Sequence, residues 1–429
     1  MTYEFKFCCF LILVISTNII IKMTHFVKHF FLLSVILTLI YPASGCNLVN
    51  SSQDENDLHD DNGKPGLPDN AVLITTAFGQ GEGIWTFNPQ TLEVQDTLTT
   101  GTSWSINFSP DYRTVYSAWW DSNTDISKTY AIDVETNNII KNQEIWNPNV
   151  KLDWTGTRLI SMGGNPGIQV LDAQTFEVLH EGHTDFRNLT VKMATSPVKD
   201  EFYALVNKEG KSGIFGLMVF DAQNYSVKSV IPLTNDENRR TNMQGSYIDI
   251  SPDGRYIYAT VFNWQGGGGY GTFHVIDLKE GKQVFEALCG ALAWLAVSPD
   301  GRHVYISDSA GTAFSYGGIS HEFDPTNQIL RYDVQQKQVD IFASGGSDFG
   351  LTDSHNDVLI TSSIVVAPDS RSMYIRILSA GKTDEGISPG IIHVDTRTRE
   401  LLNAYSQSPD SDGFVRSWLH QLKIGFRPD

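Results

Sequence analysis

Beyond residue 70, apolar and polar positions alternate over short runs, as in Tyr256-Ile257-Tyr258-Ala259 and Ile391-Ile392-His393-Val394. A period of two builds strands with two distinct faces, and the 3.6-residue spacing of an amphipathic helix is missing from this part of the chain. Two turn signals punctuate the strands. The first is Ser109-Pro110-Asp111, Ser251-Pro252-Asp253-Gly254, Ser298-Pro299-Asp300-Gly301 and Ala367-Pro368-Asp369, with degenerate copies at Asp153-Trp154-Thr155-Gly156 and Ser196-Pro197-Val198-Lys199-Asp200. Proline presets the turn dihedral, Asp bonds to its own backbone, and Gly supplies positive φ. A tyrosine follows in the next strand at 116, 203, 258, 305 and 374. The second turn is marked by Asn88, Asp133, Asp172, Asp221, Asp277, Asp333 and Asp395.

Four strands per copy, repeated at a period of roughly 40–60 residues, predict blades that bury their faces on one another. The expectation is an all-β fold over residues 71–429: a seven-bladed β-propeller of four-stranded antiparallel blades. Ala71-Val72-Leu73-Ile74 reads as a second strand without a first, and residues 419–429 read as an innermost strand without a second. The C-terminal strand should therefore join the first blade, closing the ring and leaving no long open edge.

The N-terminal stretch breaks the alternation. A basic segment with Lys28 leads into an apolar run that ends Tyr41-Pro42-Ala43-Ser44-Gly45-Cys46, which has the layout of a signal peptide. Residues 1–45 are assigned to that signal, with Met23 as the alternative start. Ala43-Ser44-Gly45-Cys46 resembles the bacterial lipobox, with alanine where leucine is usual three places before the cysteine. The resemblance implies lipidation at Cys46. Residues 46–70 are polar and acidic and read as a flexible tether. Asn47 lacks the Asp that, by the same resemblance, retains lipoproteins in the inner membrane. The expected location is the bacterial cell envelope, as an outer-membrane lipoprotein facing the periplasm or the cell surface.

Composition narrows the roles. The formal charge is −18 and the leader is net basic, so the folded part is more acidic still and ill suited to nucleic acid. Only Cys289 lies beyond residue 46, which leaves no disulfide framework and no cysteine zinc site. A monomeric propeller stabilised by core burial is expected. Cys289 reads as a small apolar residue, His274 and His393 as packing residues, and Trp294 as part of a channel wall.

The run Ser298-Pro299-Asp300-Gly301-Arg302 followed by Val304-Tyr305 resembles YVTN-type and lactonase-like seven-bladed propellers, within the wider WD40-like group. The resemblance spans residues 71–429 as a pattern. It implies the fold, whereas these residues are scaffold and carry no activity.

Loop lengths point to one face. The tight turns share one side of the ring, and the long connections (119–129, 234–244, 263–271, 309–326, 345–361 and 406–417) share the other. Long connections on a rigid scaffold are where sites grow. Trp119, Trp120, Trp264, Tyr270, Phe314, Tyr316 and Phe349 are the candidate ligand-binding residues there; packing of the loops themselves would use the same side chains. His321, Glu322, Asp353 and His355 are candidate acid–base residues for a lactonase-like hydrolase or lyase. A divalent metal such as calcium is the alternative cofactor, although no metal ring is assigned and no cofactor is expected. No Gly-x-Ser-x-Gly elbow and no haem Cys-x-x-Cys-His occurs. The leading expectation is a non-enzymatic, lipid-anchored binding propeller for a small molecule, glycan or envelope protein. The alternatives are the hydrolase and an accessory subunit of an envelope redox or transport complex.

Overall fold

The structure, a computed structural model, describes residues 67, 70–79, 83–98, 103–121, 126–147, 149–163, 167–183, 192–207, 214–233, 240–265, 268–290, 293–308, 328–351, 359–380, 390–406 and 417–427. The chain divides into two units, Met1–Asp61 and Asn62–Asp429, and every described residue belongs to the second.

Seven four-stranded antiparallel sheets form a ring. From the inside outward, blade 1 is Ser417–Phe426, Ala71–Gly79, Gly83–Phe87 and Val94–Leu98. Blades 2 to 7 each take four successive strands, over 103–145, 150–183, 193–232, 240–289, 294–343 and 359–406. The inner strands touch their neighbours all the way round, with Ser417–Phe426 between the inner strands of blades 7 and 2. Buried apolar residues fall into clusters that each straddle one blade junction. Ile160, Val170, Phe202 and Phe220, for example, fill the junction of blades 3 and 4.

Closure has the expected topology. Ser417–Phe426 pairs with Ala71–Gly79 from Ala71↔Phe426 to Gly79↔Ser417, with one register shift at Thr75/Ala77. The Arg427 amide donates to the Asn70 carbonyl at 2.7 Å. Ser109, Asp153, Ser196, Ser251, Ser298 and Ala367 make the same bond, each donating to the carbonyl five residues ahead. Blade 1 thus repeats a local turn bond between the two ends of the folded chain. Leu67, inside the stretch read from sequence as tether, is buried against blades 7 and 1, and its carbonyl accepts from Gln90 Nε2 at 2.9 Å.

The turn chemistry explains why these segments repeat. Ser109, Ser251 and Ser298 each donate through Oγ to the Asp two residues on, at 2.6, 2.5 and 2.6 Å. The same Oγ accepts the amide five residues on, at 2.9, 2.8 and 2.9 Å. Blade 3 exchanges the partners: Thr155 donates to Asp153 at 2.7 Å, and Asp153 accepts the Arg158 amide at 2.9 Å. Asp153 and Asp200 also hold the Arg158 guanidinium, at 2.8 and 2.6 Å, tying blade 3 to blade 4.

In the outer turn the side-chain oxygen of Asn88, Asp172, Asp221, Asp277 and Asp395 accepts amides two and three residues on, and that of Asp133 and Asp333 accepts the third. Four residues on, the backbone is left-handed in all seven turns: Leu92, Asn137, Phe176, Tyr225, Gly281, Lys337 and Arg399 have φ between 51° and 64°. A type I turn followed by a left-handed residue and a bulge suits a hairpin, but glycine is its natural occupant. Six of these seven positions do without it.

The tyrosines following the inner turns are buried, at 7 % exposure for Tyr116 and 2 % or less for Tyr203, Tyr258, Tyr305 and Tyr374. The glycine-rich stretch read as a loop in blade 5 is a ribbon instead. Tyr256–Gln265 and Gly268–Asp277 stay paired to Gln265↔Gly268, with Trp264 opposite Gly269 and Asn263 opposite Tyr270. Glycine lacks a side chain but keeps both ladder groups, so the ladder continues through it.

Candidate functional site in the central channel

Several residues singled out from the sequence have structural roles. Trp119 is half-buried and stacks on Tyr130, with centroids 6.1 Å apart. Phe349 is 3 % exposed, in a 3-10 turn (Gly346–Phe349), and packs against Phe342 between blades 6 and 7. The backbones of Trp120, Trp264 and Tyr270 lie in strands. Phe314, Tyr316, His321, Glu322, Asp353, His355 and Cys46 lie outside the described residues. Among the described residues, no three His, Cys, Asp or Glu side chains gather as a metal site. His274 and His393 are buried within their blades, His393 stacked on Tyr374 at 4.1 Å.

A different set of side chains converges on the axis. Each inner strand runs from the long-connection face toward its Ser-Pro-Asp turn. The third residue before that turn, such as Val150, Met193, Ile248 or Ile364, packs on the preceding blade. The second and fourth residues before it therefore face the following blade and the axis, since successive strand side chains alternate. At the fourth place stand Lys423, Ser105, Asn149, Lys192, Tyr247, Trp294 and Ser363, in blades 1 to 7. At the second stand Gly425, Asn107, Lys151, Ala194, Asp249, Ala296 and Val365. Two residues of strand separate these layers by about 7 Å.

Polar side chains of the inner strands fix the ring around the axis. Ser363 Oγ accepts the Leu422 amide at 3.1 Å, joining blade 7 to blade 1. The Ile106 amide donates to Gln421 Oε1 at 3.2 Å, joining blade 1 to blade 2. Asn107 Nδ2 donates to the Val150 carbonyl at 2.9 Å, and Thr195 Oγ1 to the Leu152 carbonyl at 2.8 Å. A Cβ on Gly425 would lie 2.3 Å from the Phe108 ring, so this layer takes no side chain there.

Charge gathers inside that frame. Lys151 feels Lys423 and Lys192 as like charges and Asp249 as an opposing one. Lys423 of blade 1, Lys192 of blade 4 and Asp249 of blade 5 thus all lie within electrostatic reach of Lys151 in blade 3. Among the described residues, no carboxylate lies within ion-pair distance of any of the three lysines. Burial, reinforced by Lys423, pulls Lys151 down to about 8; Asp249 acts the other way. Burial also pulls Lys192 down to about 8. Desolvation disfavours a charged amine, and a cation at the same point adds to that.

One wall is aromatic. Tyr247 and Trp294 lie ring against ring at 4.0 Å, with Lys192 Nζ 5.0 Å from the first centroid and 5.9 Å from the second. Burial pushes the Tyr247 hydroxyl far up, against the pull of Arg376. Arg376, 4 % exposed in the second strand of blade 7, is lowered to about 9 by burial. The arrangement presents positive potential, hydrogen-bond donors and a flat apolar wall on the axis of an acidic protein.

Trp294 was legible at the channel wall; Lys151, Lys192, Lys423, Tyr247 and Asp249 were not singled out. Aligning the strands on the first residue of the Ser-Pro-Asp turn, Asp153 and Arg427 included, is the signal that groups them.

No family model matches the chain, and no curated protein matches it in sequence. Solved structures resemble it in fold. The β-propeller domain of Myceliophteria thermophila Cps50 (Swd1) aligns at a TM-score of 0.51 and 12 % identity, over 73 % of this chain and 88 % of that one. Dihydro-heme d1 dehydrogenase NirN, solved in complex with DHE, aligns at a TM-score of 0.48 and 12 % identity, over 85 % and 77 %. The chain is a seven-bladed β-propeller whose likeness to solved proteins is one of architecture.

Proposed function

We propose that this protein is a binding propeller that captures a small anionic ligand on its axis, between Lys151, Lys192 and Lys423. The observation that carries the reading is that Lys423 and Lys192 both act electrostatically on Lys151 while, among the described residues, none of the three has a carboxylate at ion-pair distance, in a chain of formal charge −18. Holding unpaired cations together in a desolvated place costs stability, and a bound anion offsets that cost. Tyr247 and Trp294 would receive a planar or apolar part of the ligand. The fourth-place residues sit toward the long-connection face, so the ligand enters from that side. Read with Ala43-Ser44-Gly45-Cys46, the propeller is a lipid-anchored receptor of the cell envelope.

The test is thermal melting and titration calorimetry with a panel of carboxylates and phosphates at low salt. At least one anion should raise the melting temperature, and Lys151→Met together with Lys192→Met should abolish the rise while the protein stays folded. A panel that leaves melting unchanged, or binding that survives the double substitution, would overturn the reading.

A further inference from the structure

We propose that the cavity between blades 5 and 6, on the tight-turn face, binds a small organic cation of the alkylammonium or guanidinium class. The Tyr258 hydroxyl is its floor, and Asp253 and Asp300 stand at its mouth. The site is built from turns on the face opposite the proposed anion entrance and uses none of the axial lysines.

A break in the repeat reveals the floor. Tyr203, Tyr258 and Tyr374 hold equivalent places in blades 4, 5 and 7, and each is fully buried. The Tyr374 hydroxyl donates to the Pro89 carbonyl of the following blade at 2.8 Å. The Tyr203 hydroxyl donates to Glu201 at 2.7 Å, and Glu201 also holds Lys199 and Lys228. Blade 5 has neither arrangement. Tyr256 stands where Glu201 does, and Val334 of the following blade stands where Pro89 does, one residue past the outer-turn Asp. The Tyr258 hydroxyl has no hydrogen-bond partner among the described residues. Instead, Tyr258 and Val334 line one cavity of about 180 Å³. A buried hydroxyl without a partner costs stability, so its retention calls for an occupant. One water needs about 10–15 Å³ of such space, which leaves room here for a larger guest.

Charge selects that guest. Asp253 and Asp300 take the Ser251 and Ser298 hydroxyls and the Arg255 and Arg302 amides on Oδ1. Among the described residues neither accepts a bond on Oδ2 and neither has an ion-pair partner. The neighbouring Arg255 guanidinium is held by Asp277 at 3.1 Å, so its charge is balanced outside the cavity. Two carboxylates fall short of the oxygen set that calcium takes, whereas they suit the diverging N–H donors of an organic cation. Pro252 and Tyr256 offer apolar wall for its carbon atoms. Burial pushes the Tyr258 hydroxyl far up, with Tyr332 and Asp253 acting the same way, so it stays neutral and can accept an N–H.

Ligand-observed NMR on the full chain at low salt tests this, with ethylammonium and methylguanidinium as probes and ethanol as the neutral control. Either cation should bind saturably, and ethanol should not. Tyr258→Phe should weaken binding about tenfold and raise the melting temperature of the free protein, because no bond leaves with the hydroxyl. Tyr374→Phe, which loses the bond to Pro89, should lower the melting temperature and leave cation binding unchanged. Asp300→Asn keeps the turn-forming Oδ1 and should weaken binding severalfold. Lys151→Met with Lys192→Met should not alter it, which separates this site from the axis. Ethanol binding as tightly as the cations, calcium binding there more tightly than either, or cation binding that survives both Tyr258→Phe and Asp300→Asn would overturn the proposal. A Tyr258→Phe protein that melts lower than wild type would do so too, since the hydroxyl would then have a structural role.

Discussion

Replacing Lys192 with methionine should make the protein more stable while it weakens anion capture. Burial holds the Lys192 amine near 8, against an ordinary value of 10.5. At about 1.36 kcal/mol per unit, its charged form costs the folded state about 3 kcal/mol at neutral pH. Methionine keeps the unbranched stem and contact with Tyr247 and Trp294, and has no charge to desolvate. The cation–π contact that is lost is worth about 1 kcal/mol, so the net gain is about 2 kcal/mol. A ring of this size should then melt a few degrees higher. The wild type should also gain stability as pH rises from 8 to 10.5, because there the unfolded chain keeps a proton that the folded amine has released. The substitution should flatten that rise. Denaturant titrations of both proteins at pH 7, 9 and 10.5 measure both effects. A variant less stable than wild type at pH 7, or an unchanged pH slope, would refute the desolvation argument.

Acidification tests the blade interior. His393 is 7 % exposed and burial pulls it down to about 4, so the folded protein resists protonating it where the unfolded chain accepts the proton. Its share of stability is present above pH 6.5 and falls away by about 3 kcal/mol as pH drops toward 4. His393→Phe, which can keep the stack on Tyr374, should show a shallower acid loss in urea titrations; an identical acid limb would count against this. The outer turns predict opposite outcomes at equivalent positions. Lys337→Gly should raise stability by up to about 1 kcal/mol by relieving left-handed strain. Phe176→Gly should lower it by several kcal/mol because that ring is 3 % exposed. Equal signs for the two in denaturant midpoints would refute this balance of strain against burial. Deletion of residues 417–429 should abolish cooperative unfolding, since it strips the inner strand from Ala71–Gly79; a truncated chain with an unchanged melt would refute the closure.

The ring could be read from the chain because its determinants are local. Ser251 reaches Asp253 and the Tyr256 amide, and Asp277 reaches the amides of Lys279 and Glu280, all within five residues. Such signals survive in a sequence without any knowledge of the third dimension. The left-handed residues were less visible: glycine announces the conformation at Gly281, whereas Leu92 and Phe176 adopt it for the sake of burial. The axis was illegible for another reason. Lys151, Lys192 and Lys423 lie far apart in the chain, and a lysine in a strand ordinarily reads as a solvated position. What makes them a cluster is that each stands two or four residues before its turn, and the ring brings those places together. The connections stand out in the sequence because length and aromatic content show in one dimension, whereas convergence does not.

The strand that closes the first blade would matter to an anion bound as proposed. Lys423 arrives on the axis only with Ser417–Phe426, while Lys151 and Lys192 belong to blades already formed from continuous chain. An open ring has two of the three cations, and the third is brought in by the same event that joins the two ends of the fold. A ligand held by all three would therefore act as a latch across the seam. By linkage, every increment of its affinity is an increment of resistance to opening there. Loss of the ligand would first be felt as fraying of the last strand rather than as a change in any other blade.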